Sequence, residues 1–171
     1  MIRSHTTSGF TLVEILLSLG IAGVILLASS VLLATLLQAR VKSQVMAEVE
    51  GQGAQVMNSI TQTIRNAETL NSPLIGTSAA TLSVDTSTAG NSPTVFNVAS
   101  GVVQMKEGTA PVVPLTNGRV TVSSLTFQNF ARVGTPGSIR VQMTLTAVNS
   151  SGRNEYSFTQ TFIGSASLRQ P

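Results

Sequence analysis

The chain has 171 residues, a formal net charge of +3 and 10% charged residues, far below the roughly 25% of soluble domains. It has no cysteine, which excludes disulfides and cysteine-based metal sites, and its one histidine is His5. The basic residues are scattered (Arg40, Lys42, Arg65, Lys106, Arg119, Arg132, Arg140, Arg153, Arg169), so a nucleic-acid patch is not expected, and the length allows one domain plus an anchor.

Residues 1–9, MIRSHTTSG, form a short polar segment carrying Arg3 and His5. Residues 10–37 read as a membrane helix. From Ile15 to Leu37 there are 23 residues with no charge and no proline, enough to cross a bilayer core. An ordinary secretory signal fits poorly, because its apolar region is about 7–15 residues. Arg3 flanks one end and Arg40 and Lys42 the other, so charge does not orient the span. Gly20, Gly23, Ser18, Ser29 and Ser30 are small residues that allow close helix approach or are simply tolerated; the sequence leaves both readings open. The one charge near the start of the span is Glu14. An ionisable residue in a membrane segment is costly, and so marks a functional candidate.

Residues 38–72 read as an amphipathic helix. Val41, Val45, Val49, Gly53, Val56, Ile60, Ile64 and Ala67 recur at spacings of three and four and form one stripe. Gly51 and Gly53 weaken the middle by about 1 kcal/mol each. Asn71-Ser72-Pro73 is the expected stop. A helix joining both segments would span roughly 90 Å.

Residues 73–171 read as β. Thr81–Asp85, Val95–Val98 and Val102–Lys106 alternate between glycine- and proline-bearing turns, and Val120–Phe130 is β-rich. Ile139, Val141, Met143, Leu145 and Ala147 alternate with Arg140, Gln142, Thr144 and Thr146, the clearest one-sided strand. Asn149-Ser150-Ser151-Gly152 is a turn, with its hairpin partner expected over Glu155–Ile163 and Tyr156, Phe158 and Phe162 on one face. Tight turns favour an antiparallel sheet. The expected class is α+β: a long N-terminal helix packed on an antiparallel β head.

Residues Gly9-Phe10-Thr11-Leu12-Val13-Glu14, placed after a short polar leader and before a long apolar helix, resemble the prepilin processing motif of type IV pilins and secretion pseudopilins. The resemblance covers about the first 40 residues. It implies cleavage by a prepilin peptidase between Gly9 and Phe10, N-methylation of Phe10, and a role for Glu14 in subunit assembly through a neighbour's terminal amine. It implies an inner-membrane precursor, single-pass, with the leader in the cytoplasm. The partners would be other pilin or pseudopilin subunits, the peptidase and an inner-membrane assembly platform, and the end point a filament. Cleavage would leave 9 basic and 7 acidic residues. Many major pilins carry a proline in the helix and a C-terminal disulfide. This chain has neither, which points to a minor subunit.

No cofactor or metal is expected. Without His5 the mature chain would have no histidine, so Ser-His-Asp or Cys-His catalysis and histidine metal sites are excluded. Asp85, Glu107 and Glu155 are far apart and match no calcium loop. The reading is a non-enzyme. The alternative is a membrane-anchored exoplasmic binding module, a tip adhesin or DNA-uptake subunit, for which Phe127, Phe130 and Arg132 are the nearest candidates.

Overall fold

The computed structural model describes Gly9 and residues 11–169. The chain divides into two units, Met1–Arg40 and Val41–Pro171. A single long helix, α1, covers Leu12–Arg65. In the first unit every described residue is exposed. In the second, α1 buries Val49, Gly53, Val56, Ile60 and Ile64, the middle of the stripe read from the sequence.

Among the described residues nine strands follow: β1 (Ala67–Ser72), β2 (Ser78–Ala79), β3 (Leu82–Thr86), β4 (Thr94–Ala99), β5 (Val102–Glu107), β6 (Val113–Pro114), β7 (Val120–Asn129), β8 (Ser138–Ala147) and β9 (Thr159–Ser167). They make two antiparallel sheets, ordered β1-β3-β4-β5-β6 and β2-β7-β8-β9. The class is α+β, with two sheets where one was expected. The core joins the α1 stripe to Leu82, Val84, Phe96 and Val103 of the first sheet and to Val120, Val122, Leu125, Phe127, Ile139, Val141, Met143 and Leu145 of the second.

Two expectations are corrected. The amphipathic helix ends at Arg65, short of the expected stop at Asn71-Ser72-Pro73. Asn66 N–H still donates to the Gln62 carbonyl, and Ala67 then opens β1, which pairs with β3 from Ala67↔Thr86 to Ser72↔Ser83. Ala67 is buried, but as a strand residue. The partner of β8 also starts late. Asn149 Oδ1 accepts from the Gly152 N–H at 2.9 Å, and Gly152 takes φ +69°, closing the expected turn. Residues Asn154–Tyr156 then form a short 3-10 turn, and β9 begins only at Thr159. Tyr156 therefore lies off the strand, whereas Phe158 and Phe162 pack against the core.

In the second unit α1 and β9 advance together. Lys42 Nζ donates to the Ser157 carbonyl and lies 5.8 Å from the Phe158 ring centre. Gly53 lies against Phe162 and Met57 against Gly164, and the Arg169 N–H donates to the Arg65 carbonyl. From Lys42 to Arg65 a helix rises about 34 Å, and from Phe158 to Arg169 a strand rises about 36 Å. The two elements therefore stay in step along their whole contact.

A polar cluster ties α1 to the turn before β7. Glu48 Oε1 accepts from Gln52 Nε2 (2.6 Å) and Asn117 Nδ2 (2.9 Å), and Gln52 Oε1 accepts from the Asn117 N–H (2.9 Å). Arg119 stands 3.6 Å from Glu48 Oε2. The Asn117 amide, then Gln52 and Arg119, hold the Glu48 carboxyl below its ordinary value of 4.5. A depressed carboxyl contributes stability above its unfolded pKa and loses it as pH falls through the folded one. Stability should therefore be level near neutral pH and decline as pH falls below about 4.5. Melting curves of Glu48→Gln against pH should lack this component of the decline; equal slopes in both proteins would contradict the assignment.

Candidate functional site

The start of α1 carries the residues that the motif singles out. Gly9 is exposed, and Phe10, the expected new terminus, lies outside the described residues, as do Arg3 and His5. Thr11 stands just before the helix. Its carbonyl accepts from the N–H groups of Glu14 (3.1 Å) and Ile15 (3.2 Å), and its Oγ1 is 3.3 Å from the Glu14 nitrogen. Thr11-x-x-Glu14 thus has the spacing of a capping box, a local signal that the sequence itself carries. Glu14 is exposed in the first turn of α1, where the partial positive charge of the helix N-terminus favours a carboxylate. Both bonds run to the Glu14 main-chain nitrogen, so its carboxylate suits the helix start by charge and position alone.

Beyond Glu14, α1 is the one helix among the described residues long and apolar enough to cross a membrane. Its polar side chains turn inward to their own backbone. Ser18 donates to the Ile15 carbonyl (3.1 Å), Ser29 to Ile25 (2.8 Å), Ser30 to Leu26 (2.8 Å) and Thr35 to Leu32 (2.8 Å). This satisfies hydroxyls that lipid could not. A Cβ on Gly20 or Gly23 would meet nothing within 4 Å in the chain itself.

The candidates for a ligand-binding patch divide. Phe127 is fully buried and belongs to the core. Phe130 is 49% exposed, with Arg140 stacked 4.9 Å from its ring centre, and Arg132 is exposed in the following loop. The structure adds Leu74, Ile75 and Val133, all exposed, to the same end of the unit. Buried Asn129 links the two loops: its Nδ2 donates to the Pro73 carbonyl (2.9 Å) and its carbonyl accepts from the Gly76 N–H (3.0 Å). This juxtaposition depends on pairing distant in sequence, so no local pattern announced it.

Among the described residues no group of three or more His, Cys, Asp or Glu side chains could hold a metal. Asp85 accepts from the hydroxyls of Ser92 (2.7 Å) and Thr69 (3.1 Å). Ser92 first, then Asn71 and Thr69, hold its carboxyl below the ordinary value. Glu155 pairs with Arg153 at 2.5 Å. Glu68 and Glu107 do come to one groove, but Arg65 and Arg169 line it with them. Comparison with protein-family models, with curated proteins and with solved structures finds no match to this chain.

Proposed function

We propose that the chain is a pilin-like structural subunit and not an enzyme. It is made as a single-pass inner-membrane precursor, cut by a prepilin peptidase after Gly9 and methylated on Phe10. An assembly platform then adds it to a type IV pilus or type II secretion pseudopilus as a minor subunit. The observation that carries this reading is Glu14. It is one carboxylate in the first turn of a helix whose next 23 residues are uncharged and exposed, five residues after Gly9. Such a helix needs lipid or other helices around it, and a carboxylate entering that environment needs a cationic partner. A terminal amine on Phe10 of a neighbouring subunit would supply one.

The test is the mass and first residue of the protein recovered from its own cells. A chain beginning at Phe10 with one added methyl group is the expected result. A chain beginning at Met1 in cells with an active prepilin peptidase would overturn the reading.

A second reading, a membrane-anchored binding module, is favoured by one observation: exposed Phe130, Val133, Leu74 and Ile75 beside Arg132 and Arg140. Under the first reading, Arg132→Glu leaves DNA retention by the cells unchanged. A severalfold fall in retention would move the function to that patch.

A further inference from the structure

We propose that the free edge of β9 is a docking site for an extended strand of another polypeptide. The β8–β9 ladder determines which backbone groups are free. The Ala147 N–H donates to the Phe158 carbonyl at 2.8 Å, and the Leu168 N–H donates to the Gly137 carbonyl at 2.8 Å. Between these ends the register runs unbroken from Thr146↔Thr159 to Ser138↔Ser167. Bonded and non-bonded pairs alternate in an antiparallel ladder. Gln160, Phe162, Gly164 and Ala166 are therefore the residues bonded to β8. Thr159, Thr161, Ile163, Ser165 and Ser167 turn their N–H and C=O groups the other way. β9 ends its sheet, and among the described residues no other strand takes up those groups.

Sheets usually protect such an edge with charge, proline, a bulge or brevity. The other three outer strands are protected. β2 and β6 are 2 residues each, and β6 contains Pro114. β1 carries Glu68 and two register shifts. β9 is 9 residues of Thr-Gln-Thr-Phe-Ile-Gly-Ser-Ala-Ser, without charge, proline or register shift.

The chemistry of the edge selects its occupant. Donors and acceptors repeating every second residue match an extended backbone, and no small anion or sugar has that periodicity. The half-buried Phe158, Phe162 and Met57 on the inner side call for apolar residues at alternate positions, and Ile163, 66% exposed, for one more on the outer face. A second copy's β9 is the poorer occupant, because it brings its own α1. α1 lies against β9 at both Gly53 and Met57. Paired strands are about 4.8 Å apart, whereas packed helices need about 8–10 Å between axes, so a second α1 on the same face would crowd the first. The incoming strand must come from a segment with no helix above it.

The test uses the full chain in detergent, with a synthetic peptide of the sequence Ser138–Ala147 as the probe, since it alternates and already pairs with one edge of β9. At saturating peptide, hydrogen exchange at Thr159, Thr161, Ile163, Ser165 and Ser167 should slow by about tenfold or more, while Gln160, Phe162 and Gly164, already bonded, change little. Ile163→Pro removes one outward N–H and no bond to β8. It should weaken peptide binding by about tenfold while leaving the protection of Gln160, Phe162 and Gly164 in place. The proposal fails if the odd-numbered amides stay unprotected or if protection falls equally on both sets. It also fails if the odd-numbered amides slow with protein concentration alone, which would make the occupant a second copy.

Discussion

Gly53→Leu should unseat α1 from β9 and lower the stability of the Val41–Pro171 unit by roughly 2 kcal/mol. A Cβ at position 53 would stand 2.1 Å from Phe162 Cζ and 2.2 Å from its Cε2. Either the ring or the helix has to move, and overpacking of this kind costs about 1–3 kcal/mol. A leucine in place of a helical glycine returns somewhat under 1 kcal/mol of backbone propensity. Leucine overfills the site by more than one carbon, so the steric cost wins. The melting temperature should fall by roughly 5–10 °C. Removing the ring as well, in Gly53→Leu with Phe162→Ala, should recover most of the loss, because the two substitutions share one contact. A stable Gly53→Leu single variant would show that Phe162 swings aside freely and that the seat is not specific.

Glu14 carries the second large expectation, and its neighbour Thr11 determines how it has to be tested. Glu14→Leu removes both the polar side chain at a capping-box position and the charge, so a defect in that variant alone would be ambiguous. Glu14→Gln keeps a residue suited to this position of a capping box and removes only the charge. If Glu14 meets a neighbour's terminal amine, both variants should still be cut after Gly9 and both should lose filament incorporation. A hydrogen bond between charged groups contributes about 1.5–3 kcal/mol, so losing the pair should cost of the order of tenfold to a hundredfold in incorporation. Thr11→Ala disturbs the cap and keeps the charge, and should leave incorporation within about fivefold of the parent, since a cap is worth about 1 kcal/mol. Immunoblots of sheared filaments against whole-cell precursor make the comparison. Normal incorporation of Glu14→Gln would reduce Glu14 to a helix-start residue.

The residues show unevenly how far a local pattern reaches. Val49, Gly53, Val56, Ile60 and Ile64 were legible as one buried face because helical spacing repeats within a few turns, and all are buried. Ile139 to Ala147 were legible because period-two alternation needs only the strand itself, and all five apolar positions are buried. The same logic failed just past Arg65. Ala67 continues the helical stripe by spacing, yet it pairs with Thr86, and nothing near residue 67 records that a partner strand waits there.

The candidate site divides in the same way. Gly9, Glu14 and the uncharged span are properties of a short continuous stretch, so the sequence by itself determined the long apolar helix, the helical face that packs and the residues on which the proposed processing site rests. Only the tertiary structure decided that the strands make two sheets and that Gly53 is where α1 clears Phe162. It alone also set Phe130 beside Arg140 and left β9 with an unguarded edge. Periodicity is carried by neighbours along the chain. Strand order, clearance between a glycine and a ring, and the side of a strand left without a partner are set by residues roughly 10 to 110 positions apart, as between Phe130 and Arg140 or Gly53 and Phe162. These are fixed only when folding brings both partners to the same place.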